Sequence, residues 1–243
     1  MPKLDKSQYT KKQVQALLAE RRRQKKVEKL YESQPQKKTL TDHLKDEYGF
    51  VLGNGTSRKS IDPKKLQQYG KVYGCNALYR EFDPDYLVAV DVKMILEIDK
   101  KKYQMHNPNV WTNQNKAYKK LQGFNYFKPS KGWSSGPTAL HLATQYMPNY
   151  KKIFILGFDY AGLENNTIVN NVYAGTPNYK RMSDGATYYG NWLKQTCTVI
   201  KDNPRIQFYR VIAQDNFIPP QINKFSNLKH LSIEDFKKIF NIS

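Results

Sequence analysis

The chain has 243 residues, room for one α/β domain with a short appendage, and shows no internal repeat. No window holds eighteen apolar residues, which excludes an apolar membrane-spanning helix, and the polar, charged N-terminus argues against a secretory signal. Only Cys75 and Cys197 are present, at no zinc spacing, which fits a reduced, cytoplasmic setting. The net charge is +19, with lysine outnumbering arginine 32 to 8. Such a balance suits nucleic acid, an anionic glycan, a phosphorylated substrate or an anionic membrane surface; the codon bias of an AT-rich genome produces the same excess.

Residues 1–40 carry 12 Lys/Arg against 4 Asp/Glu, a net +8, which leaves +11 to the rest of the chain. Val14, Leu17, Leu18, Val27 and Leu30 predict a helix over Gln13 to Leu30, with Thr10 as a plausible N-cap. Arg21-Arg22-Arg23-Gln24-Lys25-Lys26 makes it densely cationic, and Ser33-Gln34-Pro35-Gln36 breaks it. Residues 1–40 therefore read as a basic helical arm, either a nucleic-acid or partner contact or a solvated helix, ahead of a main domain over 41–243.

In that domain Tyr48-Gly49-Phe50-Val51-Leu52 predicts a buried strand that empties into Gly53-Asn54-Gly55. Asp62 and Pro63 start a short helix. Lys71–Asn76 and Asp85–Asp91 predict two more strands, and Met94–Ile98 the opening of a helix. Residues 101–133 are aromatic and polar and yield no assignment. Ser134-Ser135-Gly136-Pro137 leads into a helix, Lys152–Asp159 is a further strand, and 160–182 is a polar loop. A helix over Asp184–Ile200, a strand over Ile206–Ile212 and a last helix capped by Ser232 complete the chain. Strands that are apolar on every residue, alternating with helices, predict a Rossmann-like α/β fold: a mostly parallel sheet with helices on both faces.

In such sheets ligands bind beyond the carboxyl ends of the strands, where Gly53-Asn54-Gly55, Cys75-Asn76, Asp91 and Gly157-Phe158-Asp159 collect. The turn Gly53-Asn54-Gly55-Thr56-Ser57 allows close backbone approach, and its successive N–H groups with the Thr56 and Ser57 hydroxyls suit a phosphate or a ribose. Residue 58 is Arg and no Gly-Lys-Ser/Thr follows, so it is neither a Gly-x-Gly-x-x-Gly fingerprint nor a Walker loop. Ser134, Ser135 and Gly136 stand at the positive end of a helix, which favours anions. Asp91 and Asp159 suit ribose hydroxyls or a metal. Each motif has an ordinary structural reading as a turn or a cap.

Taken in order, Gly53-Asn54-Gly55-Thr56-Ser57, Cys75-Asn76, Ser135-Gly136 and Gly157-Phe158-Asp159-Tyr160 resemble the bacterial sialyltransferases of the family that includes the Campylobacter enzymes, over roughly residues 48–212. The family's pattern is Gly-Asn-Gly-Pro-Ser, Cys-Asn, Ser-Gly and Gly-Ile-Asp-Phe-Tyr, and the first three contact the nucleotide donor. The resemblance implies that Asn54, Ser57, Asn76, Ser135 and Gly136 hold a CMP- or UDP-type nucleotide or nucleotide-sugar, and that a homo-oligomer is one arrangement open to the chain. The family's general base is the His of Tyr-Ile-Gly-His. Tyr188-Tyr189-Gly190-Asn191 stands there, and Asn191 cannot accept a proton near neutral pH. Substitutes for the base are His106, Asp91, Asp159 and Asp184. Tyr160, Tyr188 and Tyr189, with a lysine or Arg181, are the candidates for phosphate contacts.

Pro84–Asp91 and the helix-plus-strand pattern from Ser135 to Asp159 also resemble the archaeal 6-hydroxymethylpterin pyrophosphokinases, which use a nucleoside triphosphate with a metal. Three expectations follow. One is a glycosyltransferase whose acceptor is a glycan or hydroxylated DNA, with an aromatic, lysine-bearing stretch from Tyr103 to Trp133 as one candidate groove. Another is a phosphotransferase that needs Mg²⁺ held by Asp91 or Asp159. The last is a non-catalytic nucleotide-binding protein, for instance a phage factor that sequesters a nucleotide.

Overall fold

The computed structural model describes residues 48–242 apart from 117, 119, 147–151 and 215. The basic arm expected over residues 1–40 lies outside the described residues. In chain order the elements are β1 (Tyr48–Leu52), β2 (Lys71–Cys75), β3 (Tyr86–Val88), α1 (Val92–Lys100), α2 (Tyr103–His106), β4 (Val110–Asn113), β5 (Asn125–Phe127), α3 (Ser135–Tyr146), β6 (Lys152–Leu156), α4 (Gly190–Asp202), β7 (Gln207–Ile212), α5 (Pro220–Asn223), β8 (Leu228–Ser232) and α6 (Ile233–Ile239). Short 3-10 turns cover Thr56–Arg58, Pro63–Gln68 and Asn76–Arg80. The predicted start at Asp62 is kept: its carboxylate accepts from Lys64 N, with Pro63 at the first position.

One eight-stranded sheet runs β5-β4-β3-β2-β1-β6-β7-β8, and every pairing in it is parallel. The fold is therefore α/β and Rossmann-like. Alternating side chains send Phe50 and Leu52 to one face and Val51 to the other. The first face packs under Met94, Ile95 and Ile98 of α1 and Phe236 of α6. The second packs under Ala139, Leu140 and Ala143 of α3, Leu193 and Val199 of α4 and Ile222 of α5. Coverage on both faces is the reason Phe50–Leu52 of β1 and Ile153–Leu156 of β6 are apolar without a break.

Aromatic side chains hold the centre. Phe50, Phe154 and Tyr209 stack across β1, β6 and β7 with centroids 5.5 and 5.0 Å apart, and Phe236 and Phe240 stand edge-on above them. Burying rings of this kind is the largest favourable contribution available to the sheet, about 1.5–3 kcal/mol for each side chain.

Several boundaries differ from the sequence reading. The strand expected over Asp85–Asp91 is limited to Tyr86–Val88, and the helix expected from Asp184 begins at Gly190. β4, β5 and α2 occupy the unassigned stretch, and β8 and α5 are additional. The order in which successive strands are added reverses between β1 and β6, which end level, with Leu52 opposite Leu156. That reversal is the topological switch point, where α/β sheets leave a crevice.

Candidate functional site

A cleft of about 240 Å³ opens at the switch point. Its walls include Gly53, Asn54, Asn76, Asp91, Ser135 and Asp159, drawn from the ends of β1, β2, β3 and β6 and the start of α3. Gly55, Ser134, Gly136, Tyr160 and Trp192 line it as well. Five separated stretches of the sequence reading thus meet in one place.

The Gly53–Ser57 turn does something other than expected. Gly53 N donates to Leu156 O at 2.8 Å and Gly55 N to Gly157 O at 2.9 Å, so the turn extends the ladder of β1 on β6. Thr56 N and Oγ1 both donate to Asn170 Oδ1, and Ser57 N and Oγ both donate to the Asp159 carboxylate. The expectation that this turn offers successive N–H groups and two hydroxyls to a phosphate is corrected: the N–H groups of Gly53, Gly55, Thr56 and Ser57 and both hydroxyls already have protein partners. Its glycines serve close approach instead. A Cβ on Gly53 would stand 2.5 Å from Gly157 O, and one on Gly55 2.4 Å from Asp159 Oδ2.

Other groups fix the turn from outside. Buried Arg58 donates through Nε to Gly53 O at 2.7 Å and through both terminal nitrogens to Glu81. Tyr173 joins them, donating to Glu81 and accepting from Arg58. Asn54 donates through Nδ2 to Tyr179 Oη, and its backbone carbonyl accepts from Val172 N. The 160–189 loop is therefore fastened to the turn by Asn170, Val172, Tyr173 and Tyr179. Sequence reasoning missed all four, along with Arg58, because loop residues that act through single contacts leave no periodic signal.

The opposite wall is built around Ser135. Its buried hydroxyl accepts from Val90 N at 3.1 Å and donates to Asn76 Oδ1 at 2.7 Å. Asn76, held in the left-handed region at φ 53°, hydrogen-bonds in turn to Asp91. Burial of the Asp91 carboxyl raises its pKa above the ordinary carboxylate value, and the Asn76 bond opposes this only in part. Ser134 O accepts from Thr138 N and Oγ1 and closes the first turn of α3. The backbone N–H groups of Ser135 and Gly136 precede the first intrahelical donor, so α3 presents them at its positive end.

A second cleft, of about 420 Å³, adjoins the first and shares Asp159, Ala161, Gly162 and Asn170 with it. Thr56, Leu163, Glu164, Asn165, Asn166, Tyr189, Asn216 and Phe217 complete its walls, which are mostly polar and aromatic. Asp159 stands at the junction, accepting also from Asn216 Nδ2 at 3.1 Å. Below it, buried Arg210 on β7 donates to the carbonyls of Phe158, Asp159 and Phe217 at 2.8, 3.1 and 3.0 Å, with its guanidinium over the Tyr160 ring.

The remaining candidates fall elsewhere. His106 is exposed in α2, just before the amino end of β4, and so sits at the sheet edge opposite the clefts. The assignment of His106 as a base is corrected on that ground. Asn191 and Tyr188 are exposed and line neither cleft. Arg181 and Asp184 pair with each other outside both. Tyr160 lines the first cleft but is buried, which pushes its phenol pKa up. Burial likewise pushes the Cys75 thiol up to about 12 and leaves it protonated and inert. Among the described residues no helix is long and apolar enough to cross a membrane, and no group of three His, Cys, Asp or Glu could hold a metal ion. Comparison with protein-family models, curated proteins and solved structures returned no match for this chain.

Proposed function

We propose that this chain is a nucleotide-sugar-dependent glycosyltransferase, with the nucleotide in the 240 Å³ cleft and the acceptor in its neighbour. The observation that carries this reading is the paired clefts at the switch point, joined at Asp159. Two adjoining compartments suit a reaction between two substrates. The positive end of α3, with Ser135 N and Gly136 N, suits a phosphate. Asn54, Asn76 and Asp91 suit the hydroxyls of a ribose, and Trp192 and Phe158 offer apolar surface to a base. Asp159 lines both compartments, and its carboxylate, which also accepts from Ser57 and Asn216, is our candidate to take a proton from an acceptor hydroxyl as the sugar leaves the nucleotide phosphate and bonds to that oxygen.

The test is a thermal-shift series on the full chain with CMP, UMP, CMP- and UDP-sugars, and ATP with and without Mg²⁺. A ligand that binds only the native state raises Tm. Under this reading a pyrimidine nucleotide or its sugar raises Tm, and EDTA leaves the shift unchanged. A second reading, the Mg²⁺-dependent phosphotransferase, draws on Asp91 and Asp159 lining one cleft, since Mg²⁺ bound with a triphosphate needs only one or two carboxylates. A shift with ATP alone, lost on adding EDTA, replaces the first reading with the second. A nucleotide-sugar that binds tightly and is never consumed turns the protein into a sequestering factor.

A further inference from the structure

The second cleft carries its own chemistry. Its described lining presents four asparagines, Thr56, two aromatic rings and the carboxylates of Asp159 and Glu164, with no Lys or Arg. In a chain of net charge +19 both clefts are lined without a described Lys or Arg, and the second also lacks the start of α3 that the first offers to a phosphate. A nucleic-acid strand needs its phosphates neutralised by Lys and Arg, which this surface does not supply. Carboxamides both donate and accept; with Asn170 Oδ1 taken by Thr56, Asn166 Oδ1 by Gly162 N and one Asn216 Nδ2 hydrogen by Asp159, the Nδ2 groups of Asn165, Asn166 and Asn170 and the Oδ1 atoms of Asn165 and Asn216 are left to match hydroxyl groups, which both donate and accept. Tyr189 and Phe217 meet edge-on with centroids 6.0 Å apart, and Phe217 is 43% exposed, leaving ring surface to receive the C–H face of a pyranose.

Backbone geometry points the same way. Glu164, Asn165 and Asn166 are three consecutive residues in the left-handed region, at φ 46°, 57° and 69°. Non-glycine residues reach that region at a cost, and three in succession persist only where the surroundings enforce them. Here the Leu163–Ile168 bridge closes the segment, with Leu163 N donating to Ile168 O at 2.9 Å and Ile168 N to Leu163 O at 3.2 Å. Asn166 Oδ1 accepts from Gly162 N at 2.7 Å, which ties the segment to the wall shared by both clefts. The result is a fixed polar rim over the second cleft.

We infer that the second cleft binds an uncharged carbohydrate, as the acceptor of the transfer proposed above, and that nucleic acid is not the acceptor. The inference rests on that proposal for the word acceptor, but the binding itself does not depend on it. The experiment is saturation-transfer NMR on the full-length protein with methyl glucoside, galactoside and mannoside, each anomer separately, beside a duplex DNA containing hydroxymethylcytosine. At least one methyl glycoside is expected to bind with an affinity that does not change with added salt. Phe217→Ala removes an exposed ring, and Asn165→Asp keeps the side-chain size and its tolerance of the left-handed region while losing two donors. Each should weaken glycoside binding about tenfold, the effect of losing roughly 1.4 kcal/mol, while nucleotide binding at the first cleft stays within about twofold.

No binding by any methyl glycoside overturns the inference, as does glycoside binding that both variants leave intact. DNA binding that the two variants abolish overturns it as well. Glycoside binding sensitive to both variants, in a protein that binds no nucleotide, sustains the inference and removes the glycosyltransferase reading instead.

Discussion

The two walls of the first cleft use their polar groups in opposite ways. On one wall, the amides of Gly53, Gly55, Thr56 and Ser57 and the two hydroxyls of the turn are engaged by Leu156, Gly157, Asn170 and Asp159. On the other, Ser135 uses only its hydroxyl for structure, and the first-turn amides of α3 are presented at the helix end. The first wall is a clasp between two strand ends; the second is the anion-facing wall. A glycine-rich turn after a strand therefore does not by itself mark a phosphate cradle. What matters is whether its N–H groups already have partners.

The largest test of this contrast is Gly55→Ala. The added Cβ would meet Asp159 Oδ2 at 2.4 Å and Gly157 O at 2.7 Å, neither of which is a free side-chain end. The clasp should open, with a loss of about 3 kcal/mol or more in chemical denaturation, a size reserved for backbone and buried-network defects. A stable Gly55→Ala protein would mean that the turn is looser than these contacts require.

Gly136→Ala probes the other wall. Its Cβ would meet only the Phe158 ring, at 3.3 Å, and alanine favours the helix, so stability should stay within about 1 kcal/mol of the parent. The methyl group would narrow the approach to the helix end, and nucleotide affinity should fall about tenfold, or about 1.4 kcal/mol, by titration calorimetry. Unchanged affinity would move the anion away from α3.

The smallest effect is on pH. The pKa of Asp91 is raised in the folded protein, first by desolvation, so its carboxyl takes up a proton at a higher pH than in the unfolded chain. Its contribution to stability is then fully present below the unfolded pKa and is lost as pH rises through the folded one. The same protonation removes a negative charge from the first cleft. Nucleotide affinity should strengthen by a few fold as pH falls from about 7 toward the carboxylate range. Asp91→Asn should flatten that profile at the high-affinity limit. A parent profile that is already flat would show that Asp91 does not face the ligand.

Legibility in the sequence followed the strength of each residue's pattern. β1 and β6 are covered on both faces, so Phe50-Val51-Leu52 and Ile153-Phe154-Ile155-Leu156 read directly as buried strands. β4 and β5 are three or four residues long, carry Thr112, Asn113 and Asn125, and finish the sheet at one edge. Short runs with polar residues have no period to detect. With β4 unassigned, nothing in the sequence could say that His106 lies at the wrong end of a strand. The cleft's wall residues were legible because small and polar residues follow apolar strands at Gly53, Asn76, Asp91 and Asp159. Their hydrogen-bond partners were not legible: Asn170 lies 114 residues from Thr56, and Asn216 lies 57 from Asp159.

Arg210 has a consequence for how such a protein can diverge. Its guanidinium rises from β7, one strand in from the sheet edge, and holds the carbonyls of Phe158, Asp159 and Phe217, which border the two clefts. The strand ends thus fix one part of the wall between the clefts, beside the loop residues Ala161, Gly162 and Asn170 that both clefts share. Loop positions such as Asn165, Asn166 and Phe217 can be exchanged, and with them the molecules received, while that part of the wall stays where the strand ends put it.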